Sequence, residues 1–169
     1  RYTIRLFSLL WIFIIVVING PVTALGTEIK DLKGRHIKFD KPFSRIISLY
    51  GAHTENLFFL GCNDQIIGVS VNDSYPDEVK DKSRYSYHDG PEKFLAANPD
   101  LVLIRPMIDN GYPRLIQRLE ASGITVVSFQ PSSIDKMYEY WLALGKLTGK
   151  TGNALLMTAD FKNKIRHIQ

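Results

Sequence analysis

Four short apolar runs constrain this chain more than anything else in it: Arg45 to Leu49, Ile66 to Val69, Leu101 to Ile104 and Ile124 to Phe129. They are rich in Ile and Val and none alternates strictly with polar residues. A strand with one wet face needs a polar side chain at every second position, so unalternating runs suit strands buried on both faces, as in parallel sheets. Helix-like stretches separate them. Thr54 to Leu60 stops at Gly61, Glu92 to Ala97 stops before Asn98-Pro99, and Tyr112 to Ser122 stops at Gly123, each with a residue that ends helices. Alternation of this kind predicts an α/β fold with a doubly wound, mainly parallel sheet and right-handed crossovers.

The flanks extend the pattern. Two short segments around Lys33-Gly34 read as a hairpin ornament at the edge, with Gly34 supplying the positive φ of the turn. Ser133 to Thr148 reads as a longer amphipathic helix capped by Ser132 or Ser133, with Ile134, Met137, Tyr138, Trp141 and Leu144 or Gly145 on its packed face. After the break at Gly149 to Gly152, Asn153 to Gln169 reads as a further helix.

At the other end, Arg1 and Arg5 precede an apolar run from Leu6 to Ile18, interrupted only by Ser8 and followed by Asn19-Gly20-Pro21 and Val22-Thr23-Ala24. A run of thirteen residues falls short of the ~20 that span a bilayer, and the small residues that follow suit a signal peptidase. Residues 1–24 are therefore expected to be a signal peptide, with the rest extracytoplasmic. No Cys lies near the cleavage region, which speaks against a lipoprotein anchor. Residues 25–149 form the expected lobe and residues 150–169 the start of the next helix. The formal charge of +4 includes Arg1 and Arg5, and much of the remaining basic excess lies between Lys146 and Arg166; this is no nucleic-acid footprint. Cys62 is the lone cysteine, so neither a disulfide framework nor a Cys-based metal cluster is expected.

In open α/β sheets ligands bind beyond the carboxyl ends of the strands, which singles out the residues just after each run. These are Tyr50-Gly51-Ala52-His53-Thr54-Glu55, Ser70 to Tyr75, Arg105-Pro106-Met107 and Gln130-Pro131-Ser132, joined by Tyr85 to Gly90 before the Glu92 helix. Such loops offer ring faces for a flat ligand and donors for its anionic groups. Tyr50 and His53 are candidate metal ligands, although hydrogen-bonded structural roles account for them equally; His88 and Met107 have the same two readings. Arg105 suits an anionic ligand, and a salt bridge to Asp109 would explain it as well. There is no glycine-rich phosphate loop, zinc-protease helix or serine elbow. The competing reading is a secreted α/β enzyme with His53 or His88 as acid or base.

Several segments carry a resemblance. Asp31 to Arg35, Lys41 to Leu49, Thr54-Glu55 with Leu60-Gly61, Ile67 to Val69, Pro91-Glu92, Ala97 to Ile104 and Leu119 to Val126 resemble, in order and spacing, the periplasmic solute-binding proteins of ABC importers for cobalamin, haem or ferric siderophores. The likeness covers nearly all of residues 28–149. It implies two α/β lobes joined by one long helix, with residues 153–169 as the start of that helix and the second lobe absent from this sequence. It also implies a cleft holding a metal chelate, with no resident cofactor and no enzymatic step. By position, the ligand-binding residues would be Tyr50, Gly51, His53, Asn72, Tyr75, Tyr87, His88, Arg105 and Met107. Glu92 falls where the family's first-lobe docking glutamate lies and would meet arginines of the permease. Corrinoid and ferric siderophore rank together as expected ligands, with haem behind.

Overall fold

The computed structural model describes residues 26–167; the expected signal peptide lies outside them. The elements are β1 (Thr27–Lys30), β2 (His36–Phe39), β3 (Ile46–Ser48), α1 (Gly51–Phe59), β4 (Ile66–Ser70), β5 (Ser83–Tyr85), α2 (Pro91–Ala97), β6 (Leu101–Ile104), α3 (Pro106–Gly111), α4 (Pro113–Ala121), β7 (Thr125–Ser128), α5 (Ile134–Thr148) and α6 (Thr151–Arg166). A 3-10 turn, Asp77–Asp81, precedes β5.

Five strands form one sheet in the order β5-β4-β3-β6-β7, and every neighbouring pair is parallel. This is the doubly wound arrangement that the apolar runs predict. The chain winds outward from β3 through β4 to β5, then returns to the other side of β3 for β6 and β7. The reversal places a topological switch point between β3 and β6.

Because successive strand residues face opposite sides, each apolar run feeds two cores. Ile46, Leu101, Leu103 and Val127 join Leu57, Trp141 and Leu144 beneath α1 and α5. Ile47, Val102, Ile104 and Val126 join Phe94, Ile116 and Leu119 beneath α2 and α4. The close approach of Tyr85 to β4 depends on Gly68, since a Cβ there would overlap the Tyr85 ring and press on Ile47.

The hairpin β1-β2 is antiparallel, with Gly34 at φ 79° in its turn. Asp31 anchors it to β7. Its carboxylate accepts from Lys33 N and Arg35 N at 2.9 Å, from Arg35 Nε at 2.8 Å and from Ser128 N at 3.1 Å, while Leu32 N donates to Ser128 O at 3.1 Å. Ser133 caps α5 by accepting from Lys136 N.

Two elements go beyond the sequence expectation. Strand β5 lacks an apolar run because it is an edge strand with a single partner, and of its residues only Tyr85 is buried. Helix α3 fills what reads as a loop; Pro106 begins it, where a missing N–H costs nothing, and Ile108 packs inward.

Replacing Gly68 with Ala is expected to lower unfolding free energy by about 1 to 3 kcal/mol, the usual cost of overpacking. Urea denaturation with an unchanged midpoint would show that the β4–β5 contact is looser than described.

Candidate functional site

All five parallel strands point the same way, so the loops after them lie along one edge. Tyr50 occupies the N-cap position of α1, and Arg105 that of α3. These two flank the switch point and meet there, with the Arg105 guanidinium 4.8 Å from the centre of the Tyr50 ring. Among the described residues no carboxylate lies within ion-pair distance of Arg105. The Asp109 partner suggested by spacing is engaged elsewhere: its Oδ2 accepts from Arg35 Nη2 at 2.7 Å, and Arg35 also reaches Asp31 and Glu120. Among the described residues Arg105 makes no side-chain hydrogen bond, and its donors stay unpaired within the lobe.

His53 departs from the expectation. It is 1% exposed, with Nδ1 2.7 Å from Tyr140 Oη and Nε2 2.9 Å from Ile104 O. A carbonyl only accepts, so Nε2 carries the proton and donates, leaving Nδ1 to accept from the tyrosine. Both nitrogens are consumed, and no lone pair remains for a metal or a proton shuttle. Burial pushes the imidazole down to about 4, so it is neutral near pH 7. The proposed metal-ligand and acid-base roles of His53 are corrected on this ground: it ties the first turn of α1 to the end of β6, directly before Arg105, and stands edge-on to Tyr50 at 5.1 Å.

The β5 loop brings an aromatic group. Tyr87 lies 4.5 Å from His88 and 4.8 Å from Tyr112, centre to centre, and Tyr112 Oη is 3.2 Å from His88 Nδ1. Tyr112, where α3 gives way to α4, is a member of this group that sequence reasoning treated only as a helix start. Asn72 and Met107 are exposed, in the β4 loop and the first turn of α3. Tyr75 is exposed and borders a side cavity with Glu55, Phe58, Phe59 and Asn63.

Inside the β4 loop, buried Asp73 links the strand ends. Its Oδ2 accepts from Thr54 Oγ1 at 2.6 Å and from Ser70 N at 3.2 Å, and Thr54 in turn lies 2.8 Å from Ser48 Oγ. Burial raises the Asp73 pKa, against the pull of those two hydrogen bonds. On the β7 side, Gln130, Pro131, Trp141 and Met137 border a cavity of about 230 Å³ that opens beside Tyr50, while Trp141 Nε1 donates to Asn56 Oδ1 at 2.7 Å. Among the described residues no group of three His, Cys, Asp or Glu side chains could hold a metal ion. Glu92 stands exposed in the first turn of α2, and no described cation pairs with it.

A family model described as periplasmic binding protein matches residues 46–169. An ABC transporter substrate-binding lipoprotein of Bacillus subtilis is 29% identical over 151 residues, covering 88% of this chain and 46% of that protein. A cobalamin-binding protein of Halobacterium salinarum is 27% identical over 143 residues, covering 82% of this chain and 38% of that protein. A crystal structure from Staphylococcus epidermidis, described as a possible iron-binding (periplasmic solute-binding) protein, superposes with a TM-score of 0.70 at 32% identity, over 76% of this chain and 51% of the other. The chain therefore spans half or less of the length of these curated relatives.

The His53 assignment has a pH consequence. An unfolded imidazole titrates near 6.5 while the folded one stays neutral down to about 4. The unfolded state binds the extra proton between those values. Stability is thus full above the unfolded value and is lost as pH falls toward 4, by on the order of 3 kcal/mol in all. Denaturation across this window should show a shallower pH dependence for His53→Gln than for the wild type; parallel profiles would contradict the buried neutral assignment.

Proposed function

The chain belongs to the periplasmic binding protein family, and on that premise we propose that it forms a ligand-capturing lobe of an extracytoplasmic solute-binding protein that delivers a metal chelate to an ABC importer. The Tyr50–Arg105 pair carries this reading. An aromatic face and a guanidinium without a carboxylate partner sit together at the switch point of a parallel sheet, where such folds bind ligands. A ring and a planar cation suit a large flat molecule with an anionic group, the ring by stacking and Arg105 by charge-assisted hydrogen bonds.

The chelate brings its own metal ligands. With both nitrogens of His53 committed inside the lobe, the trough favours molecules whose metal is already fully coordinated, and these are corrinoids and ferric siderophores before haem. The Halobacterium relative is named for cobalamin, which puts a corrinoid first. The relatives are binding proteins, and the proposed cycle needs no bond-making step: the lobe holds the chelate, carries it to the permease and yields it there.

A second lobe would close the trough from the far side, and α6 would begin the helix that joins the two. Glu92 is the docking residue of this lobe. Exposed and unpaired, it is placed to meet an arginine of the permease, and such charge pairs orient a complex and speed its formation.

Spectrophotometric titration of the full-length protein with cyanocobalamin, a ferric siderophore and haemin is the direct test. Saturable binding of cyanocobalamin is expected, and absence of binding to all three would overturn the proposal. Arg105→Ala should weaken binding about tenfold, near 1.4 kcal/mol; an unchanged Kd would remove Arg105 from the site. Glu92→Arg should leave Kd as it was and suppress uptake by cells, whereas normal uptake would refute docking.

A further inference from the structure

The Asp73 side chain is largely buried, 8% exposed, and among the described residues its carboxylate forms no ion pair. Oδ2 is satisfied by Thr54 Oγ1 and Ser70 N. Arg84, across on β5, directs Nη1 at the backbone oxygens of Ser70, 3.1 Å away, and of Asp73 itself, 2.6 Å away, and forms no ion pair with the carboxylate. Oδ1 has no donor among the described residues. Oδ1 is not one of the buried atoms left without a partner, so it keeps contact with solvent and stays open to a donor from outside the protein. The two bonds to Oδ2 hold the carboxylate in place.

Its setting shows where a donor would come from. Oδ1 faces Gly51, and a Cβ built on Gly51 would stand 3.2 Å from it. Gly51 directly follows Tyr50 in the β3 loop, and a side chain there would crowd Oδ1. A positive group on the β6 loop, Arg105, and a negative group on the β4 loop, Asp73, thus both adjoin the β3 loop that carries Tyr50 and Gly51.

We infer that Asp73 Oδ1 accepts a hydrogen bond from an amide N–H on the rim of the bound chelate, and so makes the trough select amide-bearing chelates over those bearing only carboxylates; this rests on the chelate-binding reading above. Corrinoids fit both halves of the arrangement: their side chains are amides, for Asp73, and cobalamin carries one phosphodiester, for Arg105. Haemin offers two carboxylates, and one of them near Asp73 would meet a like charge in a partly desolvated place. Rejection of that kind contributes to specificity as much as attraction does. Thr54 and Ser70 are positioning residues in this scheme, fixing the carboxylate so that Oδ1 and not Oδ2 is presented.

The test compares full-length wild type and Asp73→Asn, each titrated with cyanocobalamin and with haemin. Asparagine keeps the shape. Its oxygen still accepts from Thr54 and Ser70, and its NH2 takes the place of Oδ1, turning an acceptor into a donor. Affinity for cyanocobalamin should fall about tenfold, a 1.4 kcal/mol effect, while haemin binding holds or strengthens. Equal losses for both probes would mark Asp73 as merely structural, and an unchanged ratio would likewise overturn the inference. If wild type binds neither cyanocobalamin nor haemin this inference falls, and the chelate reading falls with it only when a ferric siderophore also fails to bind. Should Asp73→Asn fail to fold, Gly51→Ala tests the same contact by closing the approach to Oδ1; it should weaken cyanocobalamin binding and spare haemin, and equal affinities for wild type and Gly51→Ala would overturn the inference.

Discussion

Burial of β3 on both faces is the constraint from which the rest of the lobe follows. Ile46 and Ile47 are fully buried on opposite sides of the sheet, and neither side can be covered without helices above and below. Parallel neighbours on both flanks require crossovers, crossovers supply those helices, and right-handed winding in two directions puts the reversal beside β3. The loops after the strands are then gathered along one edge by topology alone. What they do there depends on their side chains.

Those side chains are held by a layer of buried polar contacts just under the edge. His53 joins α1 to β6 and α5, and Asp73 joins β4 to α1 through Thr54. Asp31 fastens the hairpin to the end of β7. Each such hydrogen bond contributes about 1 kcal/mol net, yet breaking one leaves a buried group unpaired, so the layer resists rearrangement more than its net energy suggests. A wall of this kind holds Tyr50 and Arg105 in place, which in the proposed binding role reduces the ordering cost of binding.

The strands around β3 were legible because burial on two faces writes itself into consecutive residues, as in Leu101 to Ile104. The helix ends were legible through Gly and Pro. Strand β5 escaped because an edge strand with one buried residue leaves no such trace, and α3 escaped because Pro106-Met107-Ile108-Asp109-Asn110-Gly111 has the composition of a turn. At the site, the choice of loops was readable while the fate of single side chains was not. His53 looks like a trough residue beside Tyr50, but its partner Tyr140 lies 87 residues away. Asp109, four residues after Arg105, looks like its partner, but it is held by Arg35 from 74 residues upstream. Partners that distant leave no local signal; the nearest hint for Asp73 was a carboxylate three residues after a strand.

The central claim is that the loops after β3, β4, β5, β6 and β7 form one wall of a ligand trough. Hydrogen-deuterium exchange of the full-length protein, with and without saturating cyanocobalamin, tests it most directly. The account predicts that within this lobe protection grows in residues 50–54, 70–74, 86–90, 105–112 and 130–133, with β1, β2 and the opposite ends of the strands unchanged. Protection confined to the hairpin, or to the edge where the strands begin, would contradict it.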